Sequence, residues 1–153
     1  MPAGHPPAPP VLLIDINIVL DLLLDRAPWS LDAALLLSAV ETKKAFGYVA
    51  AHTITTAHYV IERTKGGPAA AVGVSDLLRI VEVAPIEKSD LQQALALGFA
   101  DFEDAVEAVC ALKVAANYIV TRNESDFATL SIPAVPPAVV LALLKRIEEE
   151  GVK

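Results

Sequence analysis

Short apolar segments alternate along this chain with longer segments of helical pattern, and this alternation limits the folds open to it. The first apolar segment, Val11 to Ile14, is continuous, as in a strand buried on both faces of a parallel sheet. Further strands are predicted at Tyr48 to Ala51, Ile80 to Ala84 and Tyr118 to Thr121. Because strands separated by helices form βαβ units, the sequence predicts an α/β fold, a three-layer α/β/α sandwich with a mostly parallel central sheet.

Helices complete the alternation. They are predicted at Ile16 to Leu24, Leu31 to Ala45, Thr53 to Lys65, about Ala69 to Leu78, Ser89 to Leu97, Phe102 to Ala116 and Pro136 to Glu150. Ser30 is expected to cap the second helix and Ser89 to begin the fifth. Residues 11–150 are expected to form one domain after a disordered leader, residues 1–10, which contains five prolines. No targeting or membrane-spanning segment is expected, since prolines interrupt the longest uncharged stretch.

The charge balance limits the classes of partner. The chain has 12 basic and 19 acidic residues and a net charge of -7, which argues against a surface built throughout for nucleic acid, because phosphate binding depends on lysine and arginine. A small basic groove stays open, with Arg63, Lys65 and Arg122 as candidate contacts to phosphates. Cys110 is the only cysteine, so we expect no disulfide and a reducing, cytoplasmic compartment.

Four aspartates stand at the predicted ends of strands or starts of helices. Asp15 closes the first strand, Asp101 and Asp104 open the long helix, and Asp126 follows the last strand. In a parallel sheet these ends lie on one edge, so carboxylates far apart in sequence can meet there. Grouped carboxylates repel one another unless a cation lies among them, and oxygen ligands favour Mg²⁺ or Mn²⁺. Such an ion can activate water for attack on a phosphodiester.

Asp104 heads a face of small residues on its helix. These residues are Ala108, Ala111 and Ala115. Close packing along this face would half-bury the carboxylate, which then requires compensation of its charge. The alternative for Asp101 and Asp104 is a structural role, because acids in a first turn interact favourably with the helix dipole. Glu103 and Glu107 are interpreted as ordinary solvated charges.

Two further pairs of polar residues are interpreted as lying outside the predicted metal site. His52 and His58 lie in or near one helix, and without a third nitrogen or sulfur ligand they are interpreted as hydrogen-bonded structural histidines rather than a zinc site. Asp21 and Asp25 are four residues apart on the first helix, where most such pairs are solvated.

Three stretches of the chain together resemble the PIN domain family. They are LIDINIVLDLLLDR from Leu13 to Arg26, GFADFEDAVEAVCAL from Gly98 to Leu112, and YIVTRNESDF from Tyr118 to Phe127. Their order and spacing are similar to those of the prokaryotic toxin–antitoxin ribonucleases of the VapC kind. The resemblance implies a PIN-like fold, an antitoxin partner and a homodimer.

The resemblance also implies roles for single residues. Asp15 and Asp104 match metal-binding aspartates, and Asn17 matches a polar residue that helps to order the site. In the final motif the matching positions are Thr121, Asn123 and Asp126. Thr121 would orient a carboxylate or a water, and Asp126 is preferred over Asn123 as a metal ligand because it carries charge. The predicted catalytic and metal-binding residues are therefore Asp15, Asp104 and Asp126.

The chain departs from the family pattern at one ligand. The family usually has a glutamate early in the helix after the second strand, whereas residues 53–59 contain no acid and Glu62 comes later than the pattern requires. Asp101 and Glu103 are second-tier candidates to replace this ligand from the facing helix. The departure bears on the second metal ion and on activity itself.

The predicted function is that of a Mg²⁺- or Mn²⁺-dependent endoribonuclease, the toxin of a toxin–antitoxin pair, in which carboxylates hold the ion and water attacks RNA in line. Two alternatives stay open. One is a PIN-like module that has lost catalysis and only binds RNA or protein. The other, less favoured, is a phosphohydrolase with Asp15 as nucleophile, because such enzymes carry a second aspartate where this chain has Asn17.

Overall fold

The computed structural model describes residues 8–151, which are built around a five-stranded sheet. The strands are β1 (Val11–Ile14), β2 (Phe46–Ala50), β3 (Glu82–Ala84), β4 (Tyr118–Val120) and β5 (Ala134–Val135). Every neighbouring pair is parallel, and the spatial order is β3-β2-β1-β4-β5. The predicted parallel α/β sheet is therefore confirmed.

Helices cover both faces of the sheet. They are α1 (Ile16–Leu23), α2 (Ser30–Glu41), α3 (Ala51–Lys65), α4 (Gly67–Ile80), α5 (Lys88–Ala96), α6 (Phe102–Lys113) and α7 (Pro137–Gly151), with a short 3-10 helix at Glu124–Phe127. The apolar residues of α1 to α4 and α7 form one core, and those of α5 and α6 form a second core. The arrangement is the predicted three-layer sandwich. Within residues 8–151, no helix combines the length and apolar character that crossing a membrane requires.

The central strand explains why its sequence is apolar throughout. Leu12 and Ile14 belong to one core and Leu13 belongs to the other. Successive side chains of a strand point to opposite faces, and here both faces are covered by helices. Each of the three side chains is fully buried, so a polar residue would be unfavourable at any of them.

The structure differs from the local predictions at several places. Ser30 does not cap α2, because it is the first residue of that helix; Trp29 occupies the N-cap position, and its side chain makes no capping hydrogen bond. Helix α5 begins one residue before Ser89, with a reciprocal capping box between Glu87 and Asp90. Strand β5 was not predicted.

The predicted leader, residues 1–10, lies mostly outside the described residues. At its end, the Pro10 carbonyl accepts the backbone N–H of Phe46 at 2.9 Å. The backbone pairing between the first two strands therefore begins one residue before β1.

The order of the strands places a crevice at one edge of the sheet. From β1 the chain passes to β2 and β3 on one side, and it later adds β4 and β5 on the other. In open α/β sheets, ligands bind outside the carboxyl ends of the strands at such a change of direction. Asp15 follows β1 directly and Thr121 follows β4, so both lie at this crevice.

Candidate metal centre

The carboxylate of Asp15 is held by hydrogen bonds to both of its oxygens. Oδ1 accepts the backbone N–H of Ile16 at 2.8 Å, while Oδ2 accepts the Thr121 hydroxyl at 3.0 Å and the Asn17 side-chain amide at 3.5 Å. The residue is 3% exposed. Asn17 and Thr121, the predicted supporting residues, thus both contact Asp15 and fix the direction of its carboxylate.

Two carboxylates from α6 approach Asp15. One oxygen atom from each of Asp15, Asp104 and Glu107 lies within 4.8 Å of the other two. Asp104 is half-buried and Glu107 is only 2% exposed. In residues 8–151, no lysine or arginine forms an ion pair with any of these three acids. We call this group the acid cluster; it lacks a counter-charge from the described part of the chain.

The burial of Glu107 shows that its interpretation as a solvated charge is wrong. Residues three apart on a helix share a face, so Glu107 lies beside Asp104. Every residue from Ala105 to Ala111 is buried, because α6 is enclosed on nearly all sides. The spacing of Asp104 and Glu107 was the available sequence signal, but the enclosure of the helix depends on the tertiary structure.

The pKa values of Asp104 and Glu107 are both raised, because burial and nearby negative charges disfavour their ionised forms. Burial raises the pKa of Asp104 to about 7, and the negative charges of Asp101, Asp15, Asp126 and Glu103 add to the effect. Burial is also the main reason that the pKa of Glu107 lies well above its ordinary value, and the negative charge of Asp15 is the next cause. A cation among these carboxylates would oppose both effects.

A threonine stands opposite Glu107 in the helix where the family has its glutamate. Thr53 lies early in α3 and is fully buried, and its hydroxyl donates to Glu107 Oε1 at 3.5 Å. The acid cluster therefore has a third carboxylate, which comes from α6 instead of α3.

His52 does not fit its interpretation as a hydrogen-bonded structural histidine. Its Nδ1 is buried and has no hydrogen-bond partner among the described residues. Burial lowers the pKa of His52, and the nearby carboxylates of Glu103, Asp15 and Asp101 oppose this shift. By contrast, His58 lies 3.4 Å from Glu62 on the same helix.

The remaining predicted acids surround the cluster without joining it. Asp101 caps α6, and its Oδ1 accepts the backbone N–H of Asp104 at 3.0 Å. Glu103 is exposed in the first turn of α6, and Asp126 is exposed in the 3-10 helix. All three are close enough to raise the pKa of Asp104, but none belongs to the group within 4.8 Å.

Arg122 and Asn123 follow Thr121 at the edge of the cluster. Arg122 donates from Nε and Nη2 to the two carboxylate oxygens of Asp21, at 2.8 and 3.1 Å. Asp21 is fully buried, so its interpretation as a solvated acid is wrong. The backbone N–H of Asn123 donates to the Thr121 hydroxyl at 3.0 Å, and its side chain is exposed.

Arg63 and Lys65 are not brought to the acid cluster. Both lie in the last turn of α3 and are exposed, whereas Thr53 in the first turn contacts Glu107. A helix rises about 1.5 Å per residue, which places these cations roughly 15 to 18 Å along α3 from Thr53. Only an extended ligand could contact both places.

Comparisons with known proteins agree with this fold. A family model described as PIN domain matches residues 11–125. A search of curated proteins found no match.

Three solved structures have a similar fold. VapC20 of Mycobacterium tuberculosis, described as a sarcin-ricin loop cleaving toxin, aligns with a TM-score of 0.64 at 15% identity over 78% of this chain and 95% of its own. VapBC2 of Rickettsia felis, bound to a DNA fragment from its promoter, aligns with a TM-score of 0.61 at 13% identity over 82% of this chain and 96% of its own. PAE2754 of Pyrobaculum aerophilum aligns with a TM-score of 0.59 at 17% identity over 95% of this chain and 99% of its own.

Proposed function

Because the chain belongs to the PIN domain family, we propose that it is a Mg²⁺- or Mn²⁺-dependent endoribonuclease and the toxin of a toxin–antitoxin pair. The observation that carries this proposal is the acid cluster, in which three buried or half-buried carboxylates meet without a counter-charge from the described chain. The names of similar folds support RNA as substrate and an antitoxin as partner. We further propose that the protein is a homodimer located in the cytoplasm.

The residues of the cluster fit a hard divalent ion. All three donors are carboxylate oxygens, which Mg²⁺ and Mn²⁺ favour over softer ligands. Burial and the neighbouring carboxylates raise the pKa of Asp104, and a bound cation would oppose both effects. Such an ion, when bound, lowers the pKa of water and neutralises charge on the phosphodiester. Asp15, Asp104 and Glu107 would hold it, and Thr121 keeps the Asp15 carboxylate in position. Asp126, at the exposed rim, is the residue we propose to complete the site.

We assign to Glu107 the ligand role of the family's missing glutamate. Its carboxylate lies in the cluster, whereas Asp101 is engaged as a helix cap and Glu103 is exposed. Thr53, at the start of α3, faces Glu107 across the site. An acid on α3 and an acid on α6 could therefore serve the same ion from opposite sides.

An exchange of the two side chains tests this role. Glu107→Thr should weaken Mn²⁺ binding by about 100-fold, since loss of a direct ligand costs at least as much as loss of the groups that orient one. Adding Thr53→Glu to that variant should recover most of the affinity, measured by calorimetry. The control adds Thr55→Glu instead, on the exposed face of α3, and should recover nothing. Equal Mn²⁺ affinity in wild type and Glu107→Thr would remove Glu107 from the site.

RNA cleavage tests the proposed activity. The full chain should cleave single-stranded RNA with Mg²⁺ or Mn²⁺, stop on addition of a chelator, and lose about 100-fold or more in rate in Asp15→Asn and Asp104→Asn. Asp25→Asn, an exposed acid on the first turn after α1, is the matched control and should keep the wild-type rate. Circular dichroism checks that each variant is folded.

The same assay distinguishes the alternative function. A wild-type protein that binds RNA or a partner, yet cleaves no RNA with either metal, would be the binding-only module. Trapping of a phosphoaspartate at Asp15 would instead indicate a phosphohydrolase. Arg63 and Lys65 remain predicted phosphate contacts, and charge-removing variants at both should weaken RNA binding in a salt-dependent way.

A further inference from the structure

A cavity of about 520 Å³ is lined by residues of α1, of the segment before α2 and of the segment that follows β4. Thr121, which donates to Asp15, is followed in the chain by Arg122 and Asn123, and both of these line the cavity. Pro28 and Trp29 before α2 also line the cavity, as does Asp32 in the first turn of that helix. The cavity and the proposed metal site thus share the segment that follows β4.

An aromatic ring lies in the wall of the cavity, and the arginine beside it is already paired. The guanidinium of Arg122 lies over the Trp29 ring, 3.8 Å from the ring centroid, and it donates two hydrogen bonds to the buried carboxylate of Asp21. Although one ring face is covered in this way, Trp29 remains 44% exposed. A phosphate would compete here with Asp21 for the guanidinium. A planar, uncharged ring could stack on the indole without disturbing that ion pair.

Polar groups at the edge of the cavity match the edge of a base. Asp32 offers carboxylate oxygens that accept from an exocyclic amino group, and the side-chain amide of Asn123 both donates and accepts. Proteins that read single-stranded RNA combine such edge contacts with stacking on aromatic side chains. The volume lies in the range of sites for small planar ligands.

We propose that this cavity is a base-binding subsite, which takes a nucleobase of single-stranded RNA next to the phosphodiester at the acid cluster. Trp29 is the stacking surface, and Arg122, fixed by Asp21, holds the indole in place. Asp32 and Asn123 contact the edge of the base. This assignment rests on the proposed function, because it takes RNA as the substrate.

The fluorescence of Trp29 can be used to detect binding in the cavity, since Trp29 is the only tryptophan in the chain. The full-length protein is titrated in the presence of chelator, so that no cleavage occurs, with a short single-stranded RNA and with a ribose-phosphate chain of equal length that carries no bases. RNA should quench the tryptophan emission, and the abasic chain should leave it unchanged. Equal quenching by both chains would overturn the proposal.

Variants test the contribution of the ring. Trp29→Ala should weaken binding of labelled RNA on the order of tenfold, the usual effect of losing one stacked base, and Trp29→Phe should recover most of it. Phe46→Ala is the matched control, because Phe46 is also an exposed aromatic but lies at the start of β2, outside the cavity. It should change the affinity less than about twofold. Equal losses in Trp29→Ala and Phe46→Ala would contradict the subsite.

The two proposals fail in different ways. RNA that is cleaved with Mn²⁺ but does not change Trp29 emission would remove the subsite and keep the nuclease; the cavity would then be left to a protein partner. RNA that quenches Trp29 and discriminates against the abasic chain, but is not cleaved with either metal, would remove the nuclease and keep the subsite.

Discussion

Two places in this molecule bury carboxylates, and they differ in how the negative charge is balanced. Asp21 is fully buried, with Arg122 bound to both of its oxygens and Arg26 at 3.9 Å. In the acid cluster, Asp15 and Glu107 are as deeply buried, but no cation of the described chain pairs with them.

This difference distinguishes a structural ion pair from a candidate metal site. Burying an unpaired charge costs several kcal/mol, so native proteins pair such charges or bind metal ions with them. Asp21 obtains its counter-charges within the chain and thereby joins α1 to the segment after β4. The acid cluster obtains none from the described residues, which is why we assign its counter-charge to a divalent ion.

The largest effect is expected from Asp21→Asn. The amide keeps the shape of the side chain but leaves Arg122 and Arg26 without their buried counter-ion, so the free energy of unfolding should fall by about 3 kcal/mol. Urea unfolding at neutral pH measures this. Asp25→Asn, four residues along and exposed, should change it by less than about 0.5 kcal/mol. Equal midpoints for the two variants would mean that Asp21 is not balanced by the arginines, and the comparison would fail.

The fold was predictable because its signals are local. The four-residue apolar run of β1 and the alternation of strands and helices determine a parallel sheet, and the order of the elements then places Asp15 and Thr121 at one edge. Strand β5 has no such signal. It is two residues long, lies between prolines, and exists only by pairing with β4.

The acid cluster was only partly predictable. Strand and helix ends locate Asp15 and Asp104, but the enclosure of Glu107 depends on how α6 packs between the sheet and its neighbours. Asp21 is similar, because its partner Arg122 lies 101 residues away in sequence. A single sequence shows which residues are charged, whereas long-range packing decides which of those charges are buried.

A smaller change in the free energy of unfolding is expected from Glu107→Gln, and its sign tests the comparison more directly. In chelator this substitution removes an acid whose pKa burial raises above its unfolded-state value, so the folded protein at neutral pH no longer has to bury the charge or take up a proton. The free energy of unfolding should therefore rise on the order of 1 kcal/mol, the opposite sign to Asp21→Asn. Saturating Mn²⁺ should reverse the order, because wild type gains about 2.7 kcal/mol at a metal concentration 100 times its Kd and the variant gains less. Glu149→Gln, at an exposed glutamate of α7 outside the acid cluster, should show neither change in thermal unfolding. If Glu107→Gln destabilises the metal-free protein as Asp21→Asn does, then contacts within the chain stabilise the Glu107 carboxylate. That result would contradict the proposal that the acid cluster binds a metal ion.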